Sequence, residues 1–290
     1  MAESTGSYDL RKEFISPVVT GFALQEYVMK QLVATTSTDA NKETYWEETA
    51  ADLTGHSVGS TFKGVPRLAN FPYAQVTWTK RSKVNLKHAS EAQLSYEDIK
   101  TNDIDMVART LLRIARGVTK SVDTEIWNAL TEDQTAVRIN SVSIAAGSEW
   151  DSTTIANRNP INNILSAIQA IQENNYNPYQ DGFLVLSPKD FKNVIDNDKV
   201  SRNPTFKTDI VSNGKVGDIL GLKIIVSNSV TADYAAVVVA KECGTWRQVA
   251  PLEVVTIDDP GIKLTIRAWE YGSCLLTNAK AVCLIDNTQA

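Results

Sequence analysis

The spacing of hydrophobic positions changes along the chain, and each change predicts an element. Residues 1 to about 17 are polar and mixed and end at Pro17, the pattern of an arm without its own core. Phe22, Leu24, Tyr27, Val28 and Leu32 then populate one face of a short helix predicted over about 19–34, which "TTSTDANK" breaks. From Gly55 to about Leu94 the pattern turns strand-like. Val76 and Trp78, then Val84 and Leu86, alternate with polar neighbours, predicting a two-stranded extended element with one modest apolar face. Such a hairpin is marginal alone, so it needs a partner surface in this chain or on another.

The strongest periodicity follows. Ile104, Val107, Leu111, Ile114, Val118, Val122, Ile126 and Leu130 recur at steps of three or four after a Ser95–Asp98 capping-box pattern, predicting one helix over about 96–130. At 1.5 Å per residue it spans on the order of 50 Å. Acids early in it (Glu97, Asp98, Asp103, Asp105) precede Arg109, Arg113, Arg116 and Lys120, an order that suits the helix dipole and reads as a solvated face. Asn159-Pro160 starts a second helix with the stripe Ile161, Ile164, Leu165, Ile168 and Ile171, and "GFLVLS" is a short buried strand. Ser187, Pro188 and Asp190 open a further helix as a capping box. Beyond 214 the chain reads mostly as strands, with "DDPG" at 258–261 as a hairpin turn. The class is α+β, and the order of elements excludes a regular parallel dinucleotide-binding sheet.

At 290 residues the chain holds one large domain or two modest ones, and its 43% hydrophobic and 22% charged residues exclude a disordered or fibrous chain. A formal net charge of −5 argues against a surface that embraces nucleic acid throughout. The average hides an asymmetry: between Leu53 and Ser90 there is no Asp or Glu, while Lys63, Arg67, Lys80, Arg81, Lys83 and Lys87 are basic. Phe62, Phe71, Tyr73 and Trp78 share this ribbon. Cations with rings hold single-stranded nucleic acid, and they also anchor protein interfaces. A ribbon lying across an acidic neighbour, for which the start of the long helix is one receptor, gives the aromatics a burial partner. The contact candidates are Lys63, Arg67, Phe71, Tyr73, Trp78, Lys80 and Arg81.

No reaction centre assembles in the sequence, and the reading assigns no catalytic residue, no metal and no cofactor. Gly214, Gly217 and Gly221 in "NGKVGDILGLKIIVSNSV" precede a strand instead of a helix, which fits turns and not a phosphate-binding loop. His56 reads as a turn residue and His88 as part of the basic ribbon. The acids of "YWEETAAD" read as an exposed helix or loop, and Cys243, Cys274 and Cys283 as buried free thiols. The first residues lack a signal-peptide core, and no run reaches the roughly 18 apolar residues of a membrane span.

The order of these elements resembles the major capsid proteins of tailed bacterial or archaeal viruses, with the Hong Kong 97-type fold. An arm, a short helix, an extended hairpin, one long helix, a second helix, "GFLVLSPKDF", "VGDILGLKIIVSNSV" and "LTIRAWEYGSCLLTNAKAVCLI" follow one another over nearly the whole chain. The resemblance implies an N-arm and short helix at 1–54 and an extended loop at 55–95. It implies a peripheral domain at 96–180 with a spine helix at 96–130, an axial domain at 181–251, and a peripheral hairpin with a terminal axial strand at 252–290. It further implies a non-enzymatic virion protein assembled in the host cytoplasm, whose hexamers and pentamers close an icosahedral shell around double-stranded DNA held without sequence reading. A separate scaffold, portal and decoration proteins stand as further partners, and no membrane is involved. Lys63 and Asn70 match the crosslinking residues of the type member in composition only and are not assigned that role. An encapsulin-like compartment is the alternative, followed by a nucleic-acid-binding module.

Overall fold

The computed structural model describes residues 27–48, 66–70, 78–97, 104–197 and 218–290. Its elements are β1 (Ala34–Ser37), β2 (Lys42–Glu48), β3 (Trp78–Val84), β4 (Leu86–Ser95), α1 (Ile104–Thr131), β5 (Asn140–Ser143), α2 (Pro160–Gln172), α3 (Pro178–Asp181), β6 (Gly182–Leu186) and α4 (Pro188–Asp196). They continue with β7 (Asp218–Ile219), β8 (Leu222–Val226), β9 (Tyr234–Val239), β10 (Gly244–Asp259), β11 (Lys263–Leu276) and β12 (Val282–Asp286).

The periodic stripe does what its spacing predicts. Leu111, Ile114, Val118, Val122, Ile126 and Leu130 are all buried along α1, which lies on a four-stranded sheet ordered β1-β10-β11-β4. Small residues set the closeness of that contact: a Cβ on Gly117 would meet the Ser90 Oγ at 3.1 Å, so a larger residue would push the helix off β4. The sheet is built on the long β10–β11 hairpin, whose turn carries Gly261 at φ 78°, the "DDPG" turn read in the sequence. Gly272 of β11 faces the irregular stretch of β10, where an added Cβ would lie 2.4 Å from the Arg247 carbonyl oxygen. Only glycine fits there.

A second, six-stranded sheet runs β5-β12-β9-β6-β8-β7 and is buried nearly throughout along β6, β9 and β12. Near-continuous apolar runs such as "YAAVVV" are what a strand in the middle of a sheet requires. Helix α2 packs on this sheet through Ile164, Ala167, Ile168 and Ile171. Pro160 takes the first helical position as expected, but Asn159 makes no side-chain cap. At α4 the Ser187 hydroxyl accepts from the Asp190 N–H at 3.1 Å and donates to the Asp190 carboxylate at 2.7 Å. Gly221, with φ 78°, forms the turn from β7 to β8, consistent with glycines that shape backbone; Gly214 and Gly217 lie outside the described residues.

Several expectations are corrected. Within the described part of the helix expected at 19–34 there is one 3-10 turn, Met29–Leu32, followed by β1 pairing parallel to β10. Val33, Thr35 and Thr36 are β-branched and favour that extended sheet edge. The acids of "YWEETAAD" begin in a strand, since Lys42–Glu48 is β2 and not a helix or loop. Asp98, Phe22, Leu24 and His56 lie outside the described residues; Tyr96 and Glu97 are helical. His88 does not belong to a projecting ribbon: it is buried in β4, 2.8 Å from the Ser121 Oγ of α1. All three cysteines are free and buried.

Candidate assembly surface

The strand that carries Trp78, Lys80 and Arg81 pairs antiparallel with β2, in the register Lys42↔Val84 to Glu48↔Trp78. Side chains alternate across such a ladder, so the ribbon has two faces of different chemistry. One face presents the cross-strand pairs Glu43↔Lys83, Tyr45↔Arg81 and Glu47↔Thr79. The other presents Thr44↔Ser82 and Trp46↔Lys80, with Trp78 one pair further along.

The first face is closed by the subunit's own charges. Glu47 accepts from the Arg81 Nε at 3.2 Å and from the Arg138 Nη1 at 2.8 Å. Arg138, in the segment after α1, also grips Glu132 through its Nε. Although burial opposes it, pairing with Glu47 and Glu132 holds the Arg138 guanidinium above its ordinary pKa. Burial likewise acts to raise Glu132, and the Arg138 hydrogen bonds outweigh it and leave its carboxyl below the usual range. Lys83 reaches Glu125 of α1 at 2.6 Å, and the Thr38 hydroxyl donates to Glu43 at 2.5 Å.

The second face is open. Trp46 and Trp78 are 58% and 52% exposed and line a shallow cavity of about 350 Å³. The Lys80 ammonium stands 5.9 Å from the Trp46 ring centre, within cation–π range. Val84 and Leu86 extend the apolar strip toward β4 and are about half exposed. Exposed aromatic side chains of this size are the kind of surface that partners bury elsewhere in proteins.

A different cluster roots the segment that precedes the ribbon. Glu270 of β11, fully buried, accepts from the Tyr27 hydroxyl at 2.6 Å, Lys30 Nζ at 2.6 and 2.8 Å, Trp246 Nε1 at 3.1 Å and Gln248 Nε2 at 3.1 Å. Asp123 of α1 accepts from the backbone N–H groups of Val28 and Met29 at 3.1 and 3.2 Å. Burial raises the Asp123 pKa to about 6 against the pull of those two bonds, and burial lowers that of Lys30 against the pull of Glu270. Tyr27 is pushed up by burial and by Glu270.

The sequence candidates therefore separate. Trp78 and Lys80 lie together on the open face, and Arg81 is turned to the closed one. Arg67 sits in an exposed turn, Pro66–Ala69, beside the fully exposed Leu68; Lys63, Phe71 and Tyr73 lie outside the described residues. Trp46, Glu47, Glu125 and Arg138 were missed. The alternation in "KETYWEE" was the available signal for the first two, and it was masked by the density of acids. Among the described residues no three His, Cys, Asp or Glu side chains are grouped to hold a metal ion, and no helix is long and apolar enough to cross a membrane.

Two sheets, one long helix across the first of them and an antiparallel ribbon thrown out beside it make up the Hong Kong 97-type capsid fold. The capsid of the cyanophage P-SCSP1u aligns over 90% of this chain and 88% of its own, at a TM-score of 0.67 and 11% identity. Mycobacterium phage Che8 gives 100% and 98% coverage at a TM-score of 0.63 and 16% identity, and a virus-like particle from Pyrococcus furiosus 94% and 98% at 0.63 and 9%. No curated protein matches the sequence. The sequence profile of the phage capsid protein family matches residues 84–285, and the chain belongs to that family. It is a major capsid protein, a virion component that self-associates into a shell.

Proposed function

We propose that the shell is an icosahedral container of hexamers and pentamers for double-stranded DNA, that the protein works without catalysis, and that the β2–β3 ribbon is its intersubunit arm. The observation that carries the arm is the ribbon's asymmetry: its charged face is satisfied within the subunit, while Trp46 and Trp78 stay open on the other. The four-stranded sheet with α1 serves as the peripheral domain, and the six-stranded sheet as the axial domain. In this reading assembly takes place in the host cytoplasm, and scaffold, portal and decoration proteins act from separate chains. DNA is held without base reading, since the net charge is −5 and a shell needs only backbone contacts.

Sedimentation and negative-stain imaging of the purified chain test this. Closed megadalton particles, lost when Trp46 and Trp78 are both replaced by Ser while the subunit melts normally, are expected; a monodisperse small species from the wild-type chain contradicts it. The second reading is an encapsulin-like compartment for other cargo, with which the fold likeness to a virus-like particle from Pyrococcus furiosus is compatible. Particles purified from the native source that contain protein cargo and no DNA would decide for it.

A further inference from the structure

The face of α1 that turns away from the core carries a row of cations. Arg109, Arg113, Arg116 and Lys120 are all exposed, and their spacing puts them within about 60° of one another around the helix axis, opposite the buried stripe. The row is about 16 Å long. No Asp or Glu stands between Asp105 and Asp123, and Asp123 is itself buried and accepts from the N–H groups of Val28 and Met29. The row ends at a shallow cavity of about 430 Å³, where Lys120 is joined by Ser121 and Asn128, a hydroxyl and an amide. Glu125 at the wall of that cavity is drawn to Lys83 at 2.6 Å, so its charge is answered within the subunit.

We infer that this face of α1 holds the phosphate backbone of double-stranded DNA inside the shell. The inference rests on the shell enclosing such DNA and names the surface that meets it. Two observations select a polyanion over a protein partner. Among the described residues from 109 to 131 no large apolar side chain is exposed, whereas protein interfaces are built around apolar or aromatic anchors of the kind the ribbon presents. The cations also repeat about once per helical turn close to a line, and a duplex presents one phosphate charge per roughly 1.7 Å of its axis. Such a row meets any duplex that lies along it, whatever its sequence. The chain as a whole, at a formal net charge of −5, does not attract DNA, so the contact has to be local.

Titration of the full-length subunit, kept below the concentration at which shells close, with a fluorescent mixed-sequence DNA duplex tests this. If all the cations of the row contact phosphates, wild-type affinity should fall about 100-fold between about 50 and 200 mM salt. Replacing Arg109, Arg113, Arg116 and Lys120 together by Gln, a good helix former, should weaken binding at the lower salt by about tenfold or more and remove most of the salt dependence, with melting and shell closure unchanged. Arg109→Lys/Arg113→Lys/Arg116→Lys keeps the charge and should bind as the wild type does. Wild-type subunits that do not bind the duplex, or a Gln variant that binds it as the wild type does, overturn the proposal. A Gln variant that binds the duplex normally but no longer closes shells assigns the row to a protein contact and likewise ends it. Particles from the native source that hold no DNA would instead strike at the reading of the shell as a DNA container, whereas DNA-filled particles with unchanged binding by the Gln variant strike only at this surface.

Discussion

Two regions of this protein use the same chemistry to opposite ends. At the Glu270 joint a lysine lies 3.7 Å from a tyrosine ring centre and beside an indole, and every member is drawn into one buried network. On the ribbon a lysine lies near an indole too, but both tryptophans stay more than half exposed. The joint is complete within one chain and contributes to folding. On the proposal that the ribbon is the intersubunit arm, its open face is completed by another subunit, and burial, not residue type, separates the two uses.

The largest effect should come from breaking the joint. Glu270→Ala strands the Lys30 ammonium and the N–H groups of Trp246 and Gln248 without their acceptor, which should cost about 3–5 kcal/mol of subunit stability, read by denaturant melting. Shells should fail because subunits fail. Next is the mirror case: Trp46→Ser/Trp78→Ser should change subunit stability by under about 0.5 kcal/mol, as for exposed positions, while closed particles disappear. A large loss of stability there would place the ribbon in the core and erase the comparison.

Asp123 sharpens the same contrast through pH. Its folded pKa of about 6 lies above the ordinary value, so the folded chain binds the proton more tightly than the unfolded one. Its contribution is therefore most favourable below the ordinary carboxylate pKa and declines as pH rises to about 6, by on the order of 3 kcal/mol at most. His88, lowered by burial, slopes the other way in acid, so the useful quantity is wild-type minus Asp123→Asn stability at each pH. That difference should fall between about pH 4 and 6; a flat difference means the carboxyl is not desolvated in solution. The smallest effect is expected from reductant and chelator. The thiols are buried, with Cys274 and Cys283 pushed up to about 12 by burial, so neither treatment should alter particle number in sedimentation.

Where one residue's burial follows from its neighbours in sequence, the fold was legible. The α1 stripe, the "DDPG" turn, the buried strand at 182–186 and the Ser187 cap all depend on local periodicity or capping and are found as read. The ribbon was only half legible. Its basic strand could be seen, but the partner strand Lys42–Glu48 lies some thirty residues earlier, and only the pairing register tells which acids answer which cations. Arg81 therefore reads as an intersubunit contact candidate, and only the register reveals that it and Lys83 have in-chain partners, Glu47 and Glu125. The Glu270 joint left no local trace, because Tyr27, Lys30, Asp123, Trp246 and Glu270 are brought together only by tertiary packing.

Indole oxidation in solution tests the central claim most directly. A brief radical pulse, followed by mass spectrometry of each tryptophan peptide, compares free subunits with closed particles. Trp127, Trp150 and Trp246 are buried within the subunit and should be protected equally in both. Trp46 and Trp78 should be modified readily in the subunit and become protected on assembly, by about tenfold if a partner excludes water from the face as at an interface core. Equal modification of Trp46 and Trp78 in subunit and shell would contradict the account, because the ribbon's open face would then have no occupant in the assembled particle.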